Sequence, residues 1–137
     1  MMKKLLPLFL FAMFIGCKPD HDQVPYVPVD IWIDINLPQY QQYLFPVGGW
    51  IYITGGSRGI IVYHKSIDEF VAFERHAPFN VDQYCQVVVN DDNVIIEDPC
   101  SNSQWVITDG SLVRGPAAKS LLEYDVAYNN PNIHIFN

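Results

Sequence analysis

Residues 98–117 read DPCSNSQWVITDGSLVRGPA, and this stretch decides the fold. Small and turn-forming residues open it, and two β-forming runs follow, Gln104 to Ile107 and Leu112 to Arg114. The four residues between the runs, Thr108 to Ser111, include Asp109 and Gly110, which are typical of a tight turn. The stretch therefore predicts a loop followed by a β-hairpin.

Working outward from this stretch, the same pattern recurs along the chain. Gln86 to Val89 and Val94 to Glu97 flank an Asn-Asp-Asp-Asn turn and predict another hairpin. Gly49 to Thr54 and Gly59 to His64 predict a third, around Gly55-Gly56-Ser57-Arg58. The glycines of that turn could suggest a phosphate cradle, but such a cradle leads from a strand into a helix, and here a strand follows.

The first part of the domain adds one strand and little helix. Val29, Ile31, Ile33 and Ile35 alternate with polar residues, which predicts a half-buried strand with Trp32 on its outer face. Helical spacing is confined to Pro38 to Leu44. The fold class is therefore all-β, and a small antiparallel sandwich or partly open barrel is expected over residues 29–137.

The amino terminus has the layout of an export signal. Lys3 and Lys4 precede an apolar run, Leu5 to Ile15, that is too short to span a bilayer. The run ends in Ile15-Gly16-Cys17, which resembles a lipobox, so residues 1–16 are predicted to be a lipoprotein signal peptide and Cys17 the lipidated residue. An ordinary signal peptide or an uncleaved anchor is the alternative. Residues 17–28, polar and carrying three prolines, are predicted to be a tether.

Charge and cysteine content limit the partners. The precursor has 8 Lys and Arg against 15 Asp and Glu; without Lys3 and Lys4, six basic residues face fifteen acidic ones, a net charge of −9. Nucleic acid is therefore not expected as a partner. With one cysteine lipidated, Cys85 and Cys100 form an even pair in an exported protein, and a disulfide is expected; two free buried thiols are the alternative.

The order of motifs in the second half resembles a Rieske iron–sulfur domain over about Trp50 to Val126. In that family a strand leads into a CxH loop, a hairpin leads into a CPCHGSxF loop, and a GPA turn and a closing strand complete the cluster-bearing half. Here a hairpin precedes Asp98-Pro99-Cys100-Ser101, and Gly115-Pro116-Ala117 follows. The resemblance implies a hairpin-built cluster-type subdomain inside the all-β domain.

The resemblance also implies where a [2Fe–2S] cluster would be bound, by two cysteines and two histidines. The CxH motif falls on Glu74-Arg75-His76, and the second ligand pair falls on Asp98 and Ser101. Only His76 keeps the residue type of the family, so no [2Fe–2S] cofactor is expected. Cys100 matches a cysteine that some members bond to the opposite loop, where Cys85 is the available partner.

If the two loops face each other, Glu74, His76, Asp98 and Ser101 converge. A mononuclear metal centre on Glu74, His76 and Asp98 is then conceivable, with electron transfer as its function. The interpretation favoured over it is that Arg75 or backbone amides neutralise the carboxylates on a solvated loop. An enzyme using Glu74 or Asp98 as general base is a further alternative.

The remaining chemistry-bearing side chains are expected to be structural. His21 and His64 are expected at the surface, and His134 on the outer face of the last strand. Aromatic residues are expected in packing rather than in a ligand site: Trp50, Phe70, Phe73 and Trp105.

Together these features predict a non-enzymatic lipoprotein of the bacterial cell envelope. Lys18 after Cys17 favours the outer membrane. The predicted partners are the membrane, through lipid on Cys17, and an envelope protein or ligand that the sequence does not identify.

Overall fold

The computed structural model describes Gly16 and residues 20–137. The predicted signal peptide lies outside the described residues except for Gly16, and the predicted lipidation site Cys17 lies outside them as well. Among the residues that are described, no helix is both long and apolar enough to cross a membrane.

The prediction of an all-β domain is confirmed. Residues 20–137 form ten strands, one short α-helix and one turn of 3-10 helix at Val81–Gln83. The strands and the α-helix follow in the order β1 Asp30–Asp34, α1 Pro38–Leu44, β2 Trp50–Ile53, β3 Ile60–Ser66, β4 Glu69–Glu74, β5 Val88–Val89, β6 Ile95–Glu97, β7 Gln104–Val106, β8 Leu112–Arg114, β9 Glu123–Asn129 and β10 Asn132–Phe136.

The strands form two antiparallel sheets. The larger has the order β1-β10-β9-β4-β3-β2, and the smaller is a meander in the order β5-β6-β7-β8. All three predicted hairpins are present: β2 with β3, β5 with β6, and β7 with β8. The first part of the chain joins the larger sheet, because β1 pairs with β10 from Asp30 opposite Phe136 to Asp34 opposite Asn132.

Strands β3 and β4 lie at the centre of the molecule because both of their faces are covered. Ile61 and Phe73 face a core shared with the smaller sheet, where Trp105 and Ile96 are fully buried. The neighbouring residues of β3 and β4, such as Ile60, face a second core built from β1, α1 and β10. The aromatic residues predicted to pack do so, and Trp50 is half-buried beside the first core.

The expected disulfide between Cys85 and Cys100 is present, with the two Cα atoms 6.3 Å apart. It joins the segment that follows β4 to the loop that follows β6. The alternative of two free thiols is therefore wrong.

The prediction that His64 is a surface residue is wrong, since only 5% of it is exposed. The preceding residues of β3 are buried on both faces, so the strand offers His64 no solvated side. Its ring stacks on Phe70 with centroids 4.1 Å apart. His21 is exposed, and His134 is half-buried on the outer face, where it stacks on Trp32, as expected.

Candidate functional site

Two loops carry the four positions that the sequence singled out. Glu74 ends β4 and His76 follows it, while Asp98 and Ser101 lie between β6 and β7. The disulfide holds the two loops to each other. Glu74, His76 and Asp98 are completely buried, so the expectation that the two carboxylates are solvated is wrong, although Pro99 and Cys100 of the second loop are exposed.

The carboxylate of Glu74 accepts four hydrogen bonds. One oxygen, Oε2, accepts from the backbone N–H of Ser57 at 2.7 Å and from the hydroxyl of Tyr124 at 2.6 Å. The other, Oε1, accepts from the N–H groups of Arg58 at 2.9 Å and of His76 at 2.8 Å. Of the two expected partners, Arg75 or backbone amides, the structure places backbone amides on the Glu74 carboxylate. A buried carboxylate is stabilised by such a donor set because each bond offsets part of its desolvation.

The turn between β2 and β3 is shaped around this carboxylate. Gly56 has a φ of +59°, and a Cβ atom there would lie 2.2 Å from Glu74 Oε2 and 2.3 Å from the Tyr124 hydroxyl oxygen. Only glycine fits both the backbone angle and the space. The predicted hairpin turn is confirmed, and its amides do hold an anionic group, but that group is a side chain of the same protein.

Burial and the bond to Glu74 both act on Tyr124. Burial is the larger cause and raises the pKa of its phenol well above 10.0, and the acceptor oxygen of Glu74 adds to the shift by favouring the protonated hydroxyl. Tyr124 therefore stays a donor across the physiological range.

His76 is held through both ring nitrogens. Nε2 lies 2.8 Å from the carbonyl oxygen of Val81, and Nδ1 lies 2.8 Å from the hydroxyl oxygen of Ser57. Because a carbonyl only accepts, Nε2 must carry a hydrogen, and in the neutral ring Nδ1 then accepts from Ser57. Neither nitrogen is left free to bind a metal ion without breaking one of these contacts.

Asp98 is satisfied within its own loop. Oδ1 accepts from the N–H of Cys100 at 3.0 Å, and Oδ2 accepts from the hydroxyl of Ser101 at 2.6 Å. The Ser101 and Ser103 hydroxyl oxygens lie 2.9 Å apart. Because the one hydroxyl hydrogen of Ser101 is donated to Asp98, Ser103 must supply the hydrogen of this contact. The Ser103 oxygen in turn accepts from the N–H of Ala117 at 2.9 Å. This chain of bonds links the Asp98 loop to the Gly-Pro-Ala turn.

Arg75 points away from the carboxylate that precedes it. Its guanidinium lies over the ring of Tyr52, 3.6 Å from the ring centroid, and its Nε donates to the carbonyl of Val87 at 3.0 Å. Burial lowers the pKa of Arg75. The expected pairing of Arg75 with a carboxylate is therefore wrong, because neither Glu74 nor Asp98 forms an ion pair with it.

Within residues 20–137, the potential metal ligands do not form the cluster of Glu74, His76 and Asp98 that the sequence suggested. In this part of the chain the one group of three candidate ligands is Cys85, Asp98 and Cys100, and its two sulfur atoms are bonded to each other. Glu74 and His76 do not join Asp98 in such a group. Sequence reasoning did not identify Ser57 and Tyr124 as partners of Glu74, from which they lie 17 and 50 residues away.

Solved structures similar to this chain are Rieske proteins and Rieske-type ferredoxins. The plasma membrane Rieske protein PetC3 of the cyanobacterium Synechocystis PCC 6803 matches with a TM-score of 0.54 at 20% identity, over 64% of this chain and 86% of its own. The ferredoxin of carbazole 1,9a-dioxygenase from Nocardioides aromaticivorans IC177 matches with a TM-score of 0.50 at 16% identity, over 81% and 98%.

A third match is the complex of reduced oxygenase and oxidized ferredoxin in carbazole 1,9a-dioxygenase, with a TM-score of 0.50 at 17% identity over 77% of this chain and 93% of the other. No protein-family model and no curated protein sequence matches the chain. The chain therefore has a Rieske-like fold, as the resemblance implied, and identities this low establish the fold alone.

Proposed function

We propose that this protein is a membrane-anchored lipoprotein whose Rieske-like domain holds no [2Fe–2S] cluster and serves as a binding or assembly module of the cell envelope. The observation that carries the proposal is the hydrogen bonding of Glu74, the residue that the resemblance aligns with a thiolate ligand of the family. Its two oxygens are taken by four donors of the same chain.

The donor set does not fit a Rieske cluster. Such a cluster needs two thiolates on one iron and two imidazoles on the other. The four positions hold Glu74, His76, Asp98 and Ser101, and both cysteines of the described domain are in the disulfide. An imidazole with both nitrogens hydrogen-bonded and a carboxylate with four donors supply neither the number nor the kind of ligands required.

In place of metal coordination, the Glu74 network connects parts of the chain that are distant in sequence. It ties the β2–β3 turn, the end of β4 and the start of β9, while the disulfide ties the two loops. These contacts support a proposal in which this end of the domain is held together without a metal cluster. A rigid, cluster-free scaffold is suited to presenting a surface, which is why we favour a binding or assembly role over catalysis.

The membrane anchor rests on the sequence of the amino terminus. A basic pair, a short apolar run and Gly16-Cys17 support lipidation at Cys17. The predicted tether is not free over its described part, residues 20–28, because Val24 is buried and Asp22 accepts a hydrogen bond from the N–H of Asn80. Lys18 supports sorting to the outer membrane.

The test is metal analysis and an absorption spectrum of the protein purified from its native membranes. We expect a colourless protein without stoichiometric iron. Cys17→Ala is the matched variant for the anchor, and it should move the protein from the membrane fraction to the soluble fraction. Retention of that variant in the membrane would overturn lipid anchoring. The metal analysis is independent of this result.

The alternative of electron transfer is favoured by one observation, the likeness to proteins that include a ferredoxin. It would require a non-standard centre on Glu74, His76 and Asp98. Stoichiometric metal in the purified protein, lost in His76→Ala, would establish that alternative and contradict the cluster-free module.

A further inference from the structure

A cavity of about 450 Å³ lies beside the β2–β3 turn, next to the Glu74 network. Arg58 and Arg75 line it from two different segments, together with Tyr52 and Gln86, and none of the lining residues is acidic. This is unusual for a chain with 15 acidic residues. The cavity therefore concentrates positive charge on an otherwise acidic protein.

Neither arginine forms an ion pair with a carboxylate of the described residues, although the charge of Glu74 acts on Arg75 at longer range. The ion pairs of residues 20–137 are Lys65 with Glu69 and Lys119 with Asp20, and the ring of His134 is hydrogen-bonded to Asp30. The nearest carboxylate along the chain, Glu74, is buried behind the turn with its four donors already in place. The two guanidinium groups are thus available to an external anion.

The half-buried Arg75 is fixed in place before any ligand arrives. Its guanidinium stacks on Tyr52, whose hydroxyl accepts from the N–H of Val89 at 2.8 Å, and its Nε donates to Val87. Within the described part of the chain its two terminal amino groups make no hydrogen bond. A guanidinium with a free edge matches the two oxygens of a carboxylate or phosphate, and fixing it beforehand reduces the entropy lost on binding.

Arg58 stands at the exposed rim with its backbone fixed on both sides. Its N–H donates to Glu74, and its carbonyl accepts from the side-chain amide of Gln86. The guanidinium lies 5.9 Å from the centre of the Tyr84 ring. Arg58 and Arg75 therefore bring two cationic side chains to the lining of one cavity.

A second, apolar groove lies on the other side of Tyr52, which lines both sites. The groove has a volume of about 620 Å³ and is lined by the helix α1 residue Tyr43, by Pro46 and by Trp50. The Trp50 ring N–H already donates to Asn93 at 2.8 Å, which leaves the ring itself as an apolar wall. Together the cavity and the groove offer a charged end and an apolar end to one ligand.

We propose that Arg58 and Arg75 form a binding site for an oxyanion, a carboxylate or phosphate group, carried on an apolar or aromatic body that lies in the groove along Tyr52 and Trp50. The proposal rests on the proposed function in one respect: it gives the binding module a class of ligand, a small amphipathic acid. It requires neither a metal nor the membrane anchor.

The test is a titration of the purified full-length protein in a non-ionic detergent, at constant ionic strength, with acetate, phenylacetate and inorganic phosphate as separate probes. Binding is followed by the Nε–H signals of the arginine side chains in nuclear magnetic resonance spectra. We expect saturable shifts at Arg58 and Arg75, with phenylacetate bound more tightly than acetate. A preference for phosphate over both acids would support the site and assign its ligand to the phosphate class.

Arg58→Gln should weaken binding about tenfold, the loss that corresponds to one charge-assisted hydrogen-bonding partner. Arg75→Gln should weaken binding at least as much. Arg75→Lys keeps the charge without the planar guanidinium, so its affinity should lie between those of Arg75→Gln and the unchanged protein. Arg114→Gln on β8 is the matched control, since Arg114 also lacks an ion pair and does not line the cavity.

Absence of saturable binding with all three probes would overturn the proposal, and so would an equal loss in Arg114→Gln. Arg58 is exposed, so its variant decides the question even if the Arg75 variants fold poorly. A failed titration of a metal-free, membrane-anchored protein would remove this site and leave the proposed function, whereas stoichiometric metal would remove the proposed function regardless of the titration.

Discussion

Glu74 and Asp98 each lie where a strand passes into one of the two loops joined by the disulfide, and both are fully buried carboxylates, yet they are held in different ways. Glu74 takes donors from the β2–β3 turn, from His76 and from Tyr124 on β9, up to 50 residues away. Asp98 takes its donors from the two residues Cys100 and Ser101 of its own loop. One carboxylate joins distant segments, and the other shapes a local turn.

This difference separates two tasks that a metal cluster performs together. A cluster fixes the fold of each loop and joins the loops to each other. In this chain Asp98 holds its own loop, the disulfide joins the two loops, and Glu74 joins the loop after β4 to the β2–β3 turn and to β9. Substitutions at the two carboxylates should therefore differ in their effect on global stability.

The largest effect is expected for Glu74→Ala. Removing the carboxylate leaves three backbone N–H groups and the Tyr124 hydroxyl without an acceptor in a buried site, which should cost about 3 to 5 kcal/mol in the free energy of unfolding. Urea denaturation followed by circular dichroism measures it. Glu69→Ala, an exposed site paired with Lys65, is the control and should change stability little.

Gly56→Ala offers a second way to disturb the Glu74 site without touching the carboxylate. The added Cβ would collide with Glu74 Oε2 and the Tyr124 hydroxyl, so this variant should also be clearly destabilised. If both Gly56→Ala and Glu74→Ala unfold at the same urea concentration as the unchanged protein, the joining role of Glu74 is wrong.

The next largest effect is expected for loss of the disulfide. The double variant Cys85→Ser, Cys100→Ser opens a loop closed over 15 residues, and the chain-entropy model gives about 3 kcal/mol for a loop of this length. The same urea experiment, with and without a reducing agent, measures it. Reductant should destabilise the unchanged protein and leave the double variant unaffected; equal sensitivity of the two would contradict a structural disulfide.

A smaller effect is expected for Asp98→Ala. Its partners are the N–H of Cys100 and the hydroxyl of Ser101, which lie in a partly exposed loop and can turn to water, so the cost should be about 1 to 2 kcal/mol. Comparing this variant with Glu74→Ala tests the contrast directly. A loss at Asp98 equal to that at Glu74 would mean that both carboxylates join distant segments.

The smallest effect at neutral pH is expected for Tyr124→Phe, about 1 kcal/mol for one hydrogen bond. Its pH dependence is more informative. Because the pKa of Tyr124 is raised in the folded protein, its contribution is complete below the unfolded value near 10.0 and is lost as pH rises above it. Stability of the unchanged protein should therefore fall above pH 10 more steeply than that of Tyr124→Phe; parallel curves would contradict the buried bond.

The sequence was informative where structure depends on neighbours along the chain. Alternation in β1, the glycines at Gly55 and Gly56 and the Asp109-Gly110 turn are local signals, and the strands and hairpins they predict are present. The disulfide followed from the even number of cysteines that remain once Cys17 is set aside, and it is also present.

What could not be predicted depends on contacts between segments. The burial of His64 follows from the central place of β3 between two cores, which a period of two along one strand does not reveal. The acceptor role of Glu74 depends on Tyr124, 50 residues away. The sequence identified Glu74 and Asp98 as residues of interest, but their hydrogen-bond donors could be identified only from the fold.

The measurement that tests the central claim most directly is anaerobic reconstitution of the reduced, purified protein with ferrous iron and sulfide, followed by iron analysis and a visible spectrum. We expect no iron to remain after desalting and no visible absorption, because Glu74 keeps its four internal donors and His76 both of its partners. Stoichiometric iron with the visible absorption of a [2Fe–2S] centre would contradict the account.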